Sequence, residues 1–172
     1  MKNTLILSKN IYKESFLIHQ ATSAAELGDL KATQLAYAEA AFYYQEAAEL
    51  VPADEKEDLA GYLNEEGLAW LEAGKYGSAE APLERALAIR EKTLGPEHPD
   101  VATSLDNLAK LYRAQLRFEE AVPLSLRASA IRNKALEEET LGIGAVEFKE
   151  DSADVKMRRP DGFSSEEIIF DD

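Results

Sequence analysis

The residues of this sequence best suited to chemistry are its two histidines and its neighbouring carboxylates. His19 and His98 are far apart and the chain has no cysteine, so no cluster with metal-ligand spacing is present. Glu65 and Glu66 are adjacent, and adjacent residues on a helix point in different directions. We interpret this pair as a solvated helix face, because acid–base catalysis needs two carboxyl groups that converge on one substrate.

The common catalytic motifs are also missing from the sequence. It contains no glycine-rich phosphate loop followed by Lys-Ser/Thr, no calcium loop and no HExxH zinc helix. No nucleophile elbow supports a triad built from serine, histidine and aspartate. We therefore predict that the protein is not an enzyme and has neither a cofactor nor a metal. His98, in the segment GPEHPD at 95–100, is predicted to fix a loop.

Composition and charge limit the classes of partner. The formal net charge of −14 argues against nucleic acid and against anionic membrane surfaces, because both require a basic face. No apolar run has the length of a membrane span or of a signal-peptide core. The lack of cysteine fits a reducing compartment. We expect a soluble, cytoplasmic protein.

The middle of the chain repeats itself with a period of 42 residues. Self-similarity at a period of this length indicates a solenoid, in which each unit buries its apolar face against its neighbours. The paired positions share size or chemistry: Leu63 with Leu105, Gly67 with Ala109, Trp70 with Tyr112, Tyr76 with Phe118, Ala79 with Ala121, Arg85 with Arg127, Ala86 with Ala128, Ala88 with Ala130, Ile89 with Ile131, and Lys92 with Lys134.

Each unit has the pattern of two helices joined by a tight turn. In the middle copy, apolar residues fall at helical spacing over 63–73 and 79–89, with Gly-Lys at 74–75 between them. The small residues Gly67 and Ala109 predict a close helix crossing, since glycine inside a helix otherwise costs about 1 kcal/mol relative to alanine. Aromatic residues are predicted to fill the wedge where the two helices diverge: Trp70, Tyr112, Tyr76 and Phe118.

This pattern resembles the tetratricopeptide repeat (TPR), and most closely the 42-residue version found in kinesin light chains and many bacterial proteins. A further copy of ordinary length is readable upstream, where Gly28, Tyr44 and Pro52 occupy positions of the same pattern. The resemblance implies an all-α fold, a right-handed superhelical α-solenoid of three helix hairpins. We divide the chain into an N-terminal capping helix or extension (1–20), a three-repeat domain at 21–136 (21–54, 60–93 and 102–135) and an acidic tail (137–172).

The tail is predicted to be disordered. Residues 137–172 have 4 basic and 12 acidic side chains, and hydrophobic periodicity stops after Gly142. The chain closes with three apolar residues between acidic flanks, Ile168, Ile169 and Phe170. Two interpretations stay open for this segment: a short strand-adding recognition motif, or a solvated terminus. The apolar residues at 4–20 allow a docking peptide as an alternative to a cap.

The resemblance also implies a function, namely binding of another protein in the groove lined by the first helix of each hairpin. In the family, an asparagine before the mid-helix leucine often bonds a ligand's backbone, and Asn107 matches it, whereas Glu65 stands in its place in the middle repeat. Ala25 and Asp29 replace the family's basic clamp. We predict a peptide or helix ligand with some positive charge, contacted by Glu26, Asp29, Asn64, Glu65, Leu68, Glu72, Asp106, Asn107, Lys110 and Arg113.

The sequence leaves two further hypotheses open beside an adaptor or scaffold. The acidic tail could lie along Lys110 and Arg113 and compete with outside ligands, which would make the protein autoregulated. The exposed ends of the array could instead stack on a second copy and form a homo-oligomer. The polar groove residues could also be a solvated helix face, with partners contacting the outer surface or the ends.

Overall fold

The computed structural model describes the backbone of residues 2–147 and the side chains of residues 13–140. This part of the chain forms six helices and has no strand. Consecutive helices pack in three antiparallel hairpins, and each hairpin packs on the next. The helices are α1 (Lys2–Thr33), α2 (Tyr37–Leu50), α3 (Lys56–Glu72), α4 (Tyr76–Leu94), α5 (Pro99–Ala114) and α6 (Phe118–Glu147).

The three hairpin turns share one geometry. In each turn a residue with positive φ follows the first helix: Leu35 at 59°, Gly74 at 72° and Leu116 at 62°. The next amide donates to a carbonyl five residues back, as Lys75 does to Trp70 at 2.9 Å, which is a Schellman closure. Glycine adopts this conformation without strain, so the two leucines mark turns that side-chain sterics disfavour.

The core is built from small residues at helix crossings with large residues between them. A Cβ atom added at Gly67 would lie 2.4 Å from Cγ of Leu83, so the helices approach too closely there for any side chain. Trp70 and Tyr112 are buried, as the wedge prediction requires. The wedge prediction is wrong for Tyr76 and Phe118, which are 37% and 54% exposed. Phe118 is the more exposed of the two, and no later hairpin follows it within the described residues.

The connection between α4 and α5 fixes the junction of the second and third hairpins. Gly95 has φ of 91° and ends α4, and Pro99 begins α5, where its missing N–H costs no helical hydrogen bond. His98 is the N-cap residue, and its Nδ1 accepts a hydrogen bond of 3.2 Å from the Asp100 amide. The histidine side chain therefore caps the start of α5 and holds the loop against it.

At each end of the array, the first or last helix continues beyond its hairpin. The segment 2–20 belongs to α1 and extends the first helix of the first hairpin. At the other end α6 continues to Glu147, eleven residues beyond the boundary predicted at Leu136, so the beginning of the predicted disordered tail is helical. The reason is that Ala, Leu and Glu favour helix over 135–141, and no proline follows before 147. Ile168, Ile169 and Phe170 lie outside the described residues.

Candidate partner-binding surface

The centre of the predicted groove is a pair of side-chain amides on neighbouring hairpins. Nδ2 of Asn107 on α5 donates to Oδ1 of Asn64 on α3 at 2.7 Å. Nδ2 of Asn64 in turn donates to Oε1 of Glu65 at 3.1 Å. Asn64 is 4% exposed, whereas Asn107 is half-buried and keeps an accessible edge. These bonds tie the first helices of two repeats together at the point that sequence reasoning selected for ligand contact.

The predicted basic patch on α5 is largely neutralised. Nζ of Lys110 pairs with Oε1 of Glu72 on α3 at 2.5 Å, and both side chains are about half exposed. Asp106 pairs with Arg132 of α6, so it faces its own hairpin partner and contributes little to a groove. Arg113 has no ion-pair partner among the described residues. Its Nη1 donates to Ser125 Oγ on α6 at 3.1 Å, so this cation, like Asp106, lies beside its own hairpin partner.

The first hairpin contributes acidic groups. Asp29 Oδ1 accepts a hydrogen bond of 2.7 Å from the Tyr44 hydroxyl. Burial and this hydrogen bond raise the pKa of Tyr44 well above its ordinary value, so the phenol stays a donor and the carboxylate an acceptor. Glu26 is exposed and Leu68 is partly buried against the core. Asn64 is thus brought into contact with Asn107, and Lys110 with Glu72, whereas Asp106 pairs with α6.

Glu66 is a residue that sequence reasoning missed. The prediction of a solvated face for the adjacent pair is correct for Glu65 but wrong for Glu66, which is 9% exposed. Burial raises the pKa of Glu66, and the nearby charge of Glu49 acts in the same direction, while the indole of Trp70 and the charge of Arg85 oppose them. A signal was available in the repeat, because the residues before Gly28 and Ala109 are leucines.

A second exposed feature is an apolar strip on α6, formed by Phe118, Val122 and Leu126. These side chains are 54%, 55% and 66% exposed. Together with Arg113 and Ser125 they border a shallow cavity of about 200 Å³.

The equivalent positions of α4 explain why this strip is exposed. There Glu80 pairs with Arg117 at 2.8 Å, and Glu84 accepts a hydrogen bond from Tyr112 at 3.3 Å, so the next hairpin covers them. Within the described residues no hairpin follows α6. The strip is therefore a surface on which another helix or apolar segment would pack.

Two other kinds of feature, a membrane-spanning helix and a metal site, are absent from the described residues. None of the described helices is both long and apolar enough to cross a membrane. Over the same residues, the histidines, aspartates and glutamates form no group of three or more that could hold a metal ion. The arrangement offers hydrogen bonding, ion pairing and apolar contact to a second molecule.

The fold and these contacts agree with comparisons to known proteins. The profile of the family described as Tetratricopeptide repeat matches residues 58–134. Residues 58–134 are tetratricopeptide repeats. Nephrocystin-3 of Xenopus laevis is 33% identical to the chain over 126 residues, which are 72% of this chain and 10% of that protein. The chain thus spans about a tenth of the length of this relative.

Solved TPR structures confirm the predicted α-solenoid. TPR-like repeats of Podosopora anserina, assigned to a kinesin light chain, superpose with a TM-score of 0.61 at 25% identity over 68% of this chain and 57% of that one. BtubC (BKLC) of P. vanneervenii shares the fold, with a TM-score of 0.58 at 23% identity over 88% of this chain and 54% of that one. TPR units are typically non-catalytic scaffolds, so the chain has the fold of a protein-interaction module.

Proposed function

We propose that the protein binds a peptide or helix of a partner protein along the face formed by α1, α3 and α5, and acts as an adaptor or scaffold. The observation that carries this proposal is the bond between Asn107 and Asn64. It orients the Asn107 amide and leaves its carbonyl oxygen and second N–H without a partner among the described residues. Such an amide edge suits the N–H and C=O groups of an extended backbone.

The charges on this face define the ligand that suits it. Glu72 and Lys110 neutralise each other, which leaves Asp29 and Glu65 toward the first hairpin and Arg113 toward the last. A ligand with basic residues facing α1 and α3, and a polar or acidic residue facing Arg113, complements this arrangement. Three repeats provide a short groove, so we expect modest affinity. A cytoplasmic location belongs to this proposal as well.

The test selects peptides from a displayed random library against the full chain and then measures their affinities by fluorescence polarisation. Alanine replacement of Asn107, Lys110 and Arg113 together should weaken binding about tenfold or more, since it removes hydrogen bonds to a charged or polar ligand. Asn133→Ala on exposed α6 is the control and should leave affinity unchanged. Unchanged affinity of the triple variant would show that the peptides do not bind in the groove.

The apolar strip on α6 favours a second candidate, in which the acidic tail or a second copy covers Phe118, Val122 and Leu126. Arg113 beside the strip suits the acidic flanks of Ile168, Ile169 and Phe170. If the tail also lies along Lys110 and Arg113, deleting residues 148–172 should raise the affinity for groove peptides, whereas an unchanged affinity would mean that the tail does not compete with them. Light scattering over a range of concentrations distinguishes self-association, because only a second copy makes the mass depend on concentration.

A further inference from the structure

The position of Glu66 in the repeat is one that the other two hairpins fill with leucine. Gly28, Gly67 and Ala109 are equivalent, so the residues before them, Leu27, Glu66 and Leu108, are equivalent too. Leu108 is 3% exposed and belongs to the core, whereas Leu27 in the first hairpin is 44% exposed. A carboxylate at such a position is costly to bury, and packing does not require it. Its presence in the middle hairpin alone points to a role other than stability.

Glu66 borders a cavity on the opposite side of the array from Asn64 and Asn107. The cavity has a volume of about 490 Å³ and lies between α2, the start of α3 and the first half of α4. Its walls are mostly apolar: Ala48, Val51, Ala53, Leu59, Leu63, Ala81 and Pro82.

The polar atoms of this cavity are few and mostly acidic. Within the chain the Glu66 carboxylate has the indole of Trp70 as a hydrogen-bonding neighbour. Neither of its oxygens is both fully enclosed and without a partner. Glu49 stands nearby, held by a 3.1 Å hydrogen bond from Gln45. Arg85 also lines the cavity but forms no ion pair with Glu66 among the described contacts.

The chemistry that fits this cavity is a long cationic side chain. The methylene stem of an arginine or lysine packs on apolar walls while its charged end seeks a carboxylate. A planar guanidinium reaches both oxygens of Glu66 and leaves N–H groups for Glu49. The positive charge of Arg85 repels a basic side chain in this cavity and would attract an acidic one. Two carboxylates line the cavity against one guanidinium, and the more buried carboxylate forms no ion pair among the described contacts, which favours a basic side chain.

We infer that this outer cavity is a second peptide-binding site, which takes an arginine or lysine side chain of a partner protein with Glu66 as its principal contact. The site lies on a different face from the groove of the proposed function, and either could exist without the other.

The test uses the ¹⁵N-labelled full chain and two probes, acetyl-Ala-Ala-Arg-Ala-Ala-amide and the same peptide with citrulline in place of arginine. Citrulline has nearly the shape of arginine without its charge. We expect the arginine peptide to shift the backbone amide signals of Gln45, Ala48 and Val51, and to bind about tenfold more tightly than the citrulline peptide. Equal affinities, or shifts confined to α5, would overturn the inference.

Two variants are expected to change the affinity for the arginine peptide in opposite directions. Glu66→Gln keeps shape and hydrogen bonding but removes the charge, so it should reduce affinity for the arginine peptide to the level of citrulline. Arg85→Gln should increase that affinity several-fold. Glu137→Gln, which removes an exposed charge on α6, is the control and should change it less than twofold. Full affinity in Glu66→Gln, or weaker binding in Arg85→Gln, would contradict the site.

The same variants separate this inference from the proposed function. Glu66→Gln should not affect peptides selected for the groove, and alanine at Asn107 should not affect the arginine pentapeptide. If only the cavity binds, the groove proposal fails by itself. If the pentapeptide fails to bind while groove peptides respond to Asn107, the cavity inference fails by itself.

Discussion

Replacing Glu66 by leucine should stabilise the fold, because the substitution restores the residue that the equivalent position of the third hairpin uses. Leu108 is buried there with 3% of its surface exposed, next to Ala109 in the same helix register. In the second hairpin the carboxylate is withdrawn from water, and within the chain the Trp70 indole is its hydrogen-bonding neighbour. The variant removes this desolvation cost and adds apolar contact with the cavity walls.

The size of the gain follows from burial. A fully buried leucine contributes about 1.5–3 kcal/mol relative to an exposed one, but the Glu66 stem is already buried, so only part of this is new. Removing a poorly compensated buried polar group adds about 1 kcal/mol. We therefore expect Glu66→Leu to raise the free energy of unfolding by about 1–2 kcal/mol at pH 7.

The pH dependence has a definite sign. Because the pKa of Glu66 is raised above 4.5 in the folded state, the folded protein takes up this proton before the unfolded chain does. The destabilisation by the charged group is complete above the folded-state pKa, and it is lost as the pH falls through that pKa toward 4.5. The advantage of Glu66→Leu should thus shrink between pH 7 and pH 4.5.

Urea unfolding followed by circular dichroism at 222 nm measures both effects. Glu137→Leu, at an exposed site on α6, is the matched control and should change stability by less than about 0.5 kcal/mol. A loss of stability in Glu66→Leu beside a neutral control would refute the reasoning, because it would mean that the carboxylate makes net favourable contacts. An advantage that grows on acidification would refute the pKa assignment.

Two further predictions concern the backbone and the tightest crossing. Leu116→Gly should stabilise the protein by about 1 kcal/mol by relieving the positive φ of an exposed turn, and Gly74→Leu should cost a similar amount; urea midpoints check both. Gly67→Ala should destabilise by about 1–3 kcal/mol, because the new Cβ would overlap Leu83. A double-mutant cycle with Leu83→Ala should show favourable coupling, and additive effects would contradict the close crossing.

Most of the fold could be predicted because the residues that each hairpin needs occur at equivalent positions in more than one repeat. The small residue at Gly67 and at Ala109 predicts the crossing, and the Gly-Pro punctuation at 95–96 predicts the break between hairpins. The ends of the chain lie outside the repeat, so no second copy of the pattern supports a prediction there. The continuation of α6 to Glu147 depends on local helix propensity within an acidic segment, which composition had favoured as disordered.

The candidate surface was harder to predict, because the spacing of residues along the sequence does not determine which side chains pair between helices. Asn64 and Asn107 were selected one at a time, and their mutual hydrogen bond depends on how far one hairpin is shifted against the next. Lys110 was expected to remain basic, but Glu72 on the neighbouring helix neutralises it. Glu66 was missed because its exposed neighbour, Glu65, made the pair resemble a solvated face.

The measurement that tests the central claim most directly is paramagnetic broadening of the ¹⁵N-labelled chain by a library-selected peptide with a nitroxide label. If the partner lies on the face of α1, α3 and α5, the amide signals of Leu68, Asn107 and Lys110 should broaden strongly while those of exposed α6 residues such as Asn133 stay sharp. Broadening confined to α2, α4 or α6, with Asn107 unaffected, would contradict the account.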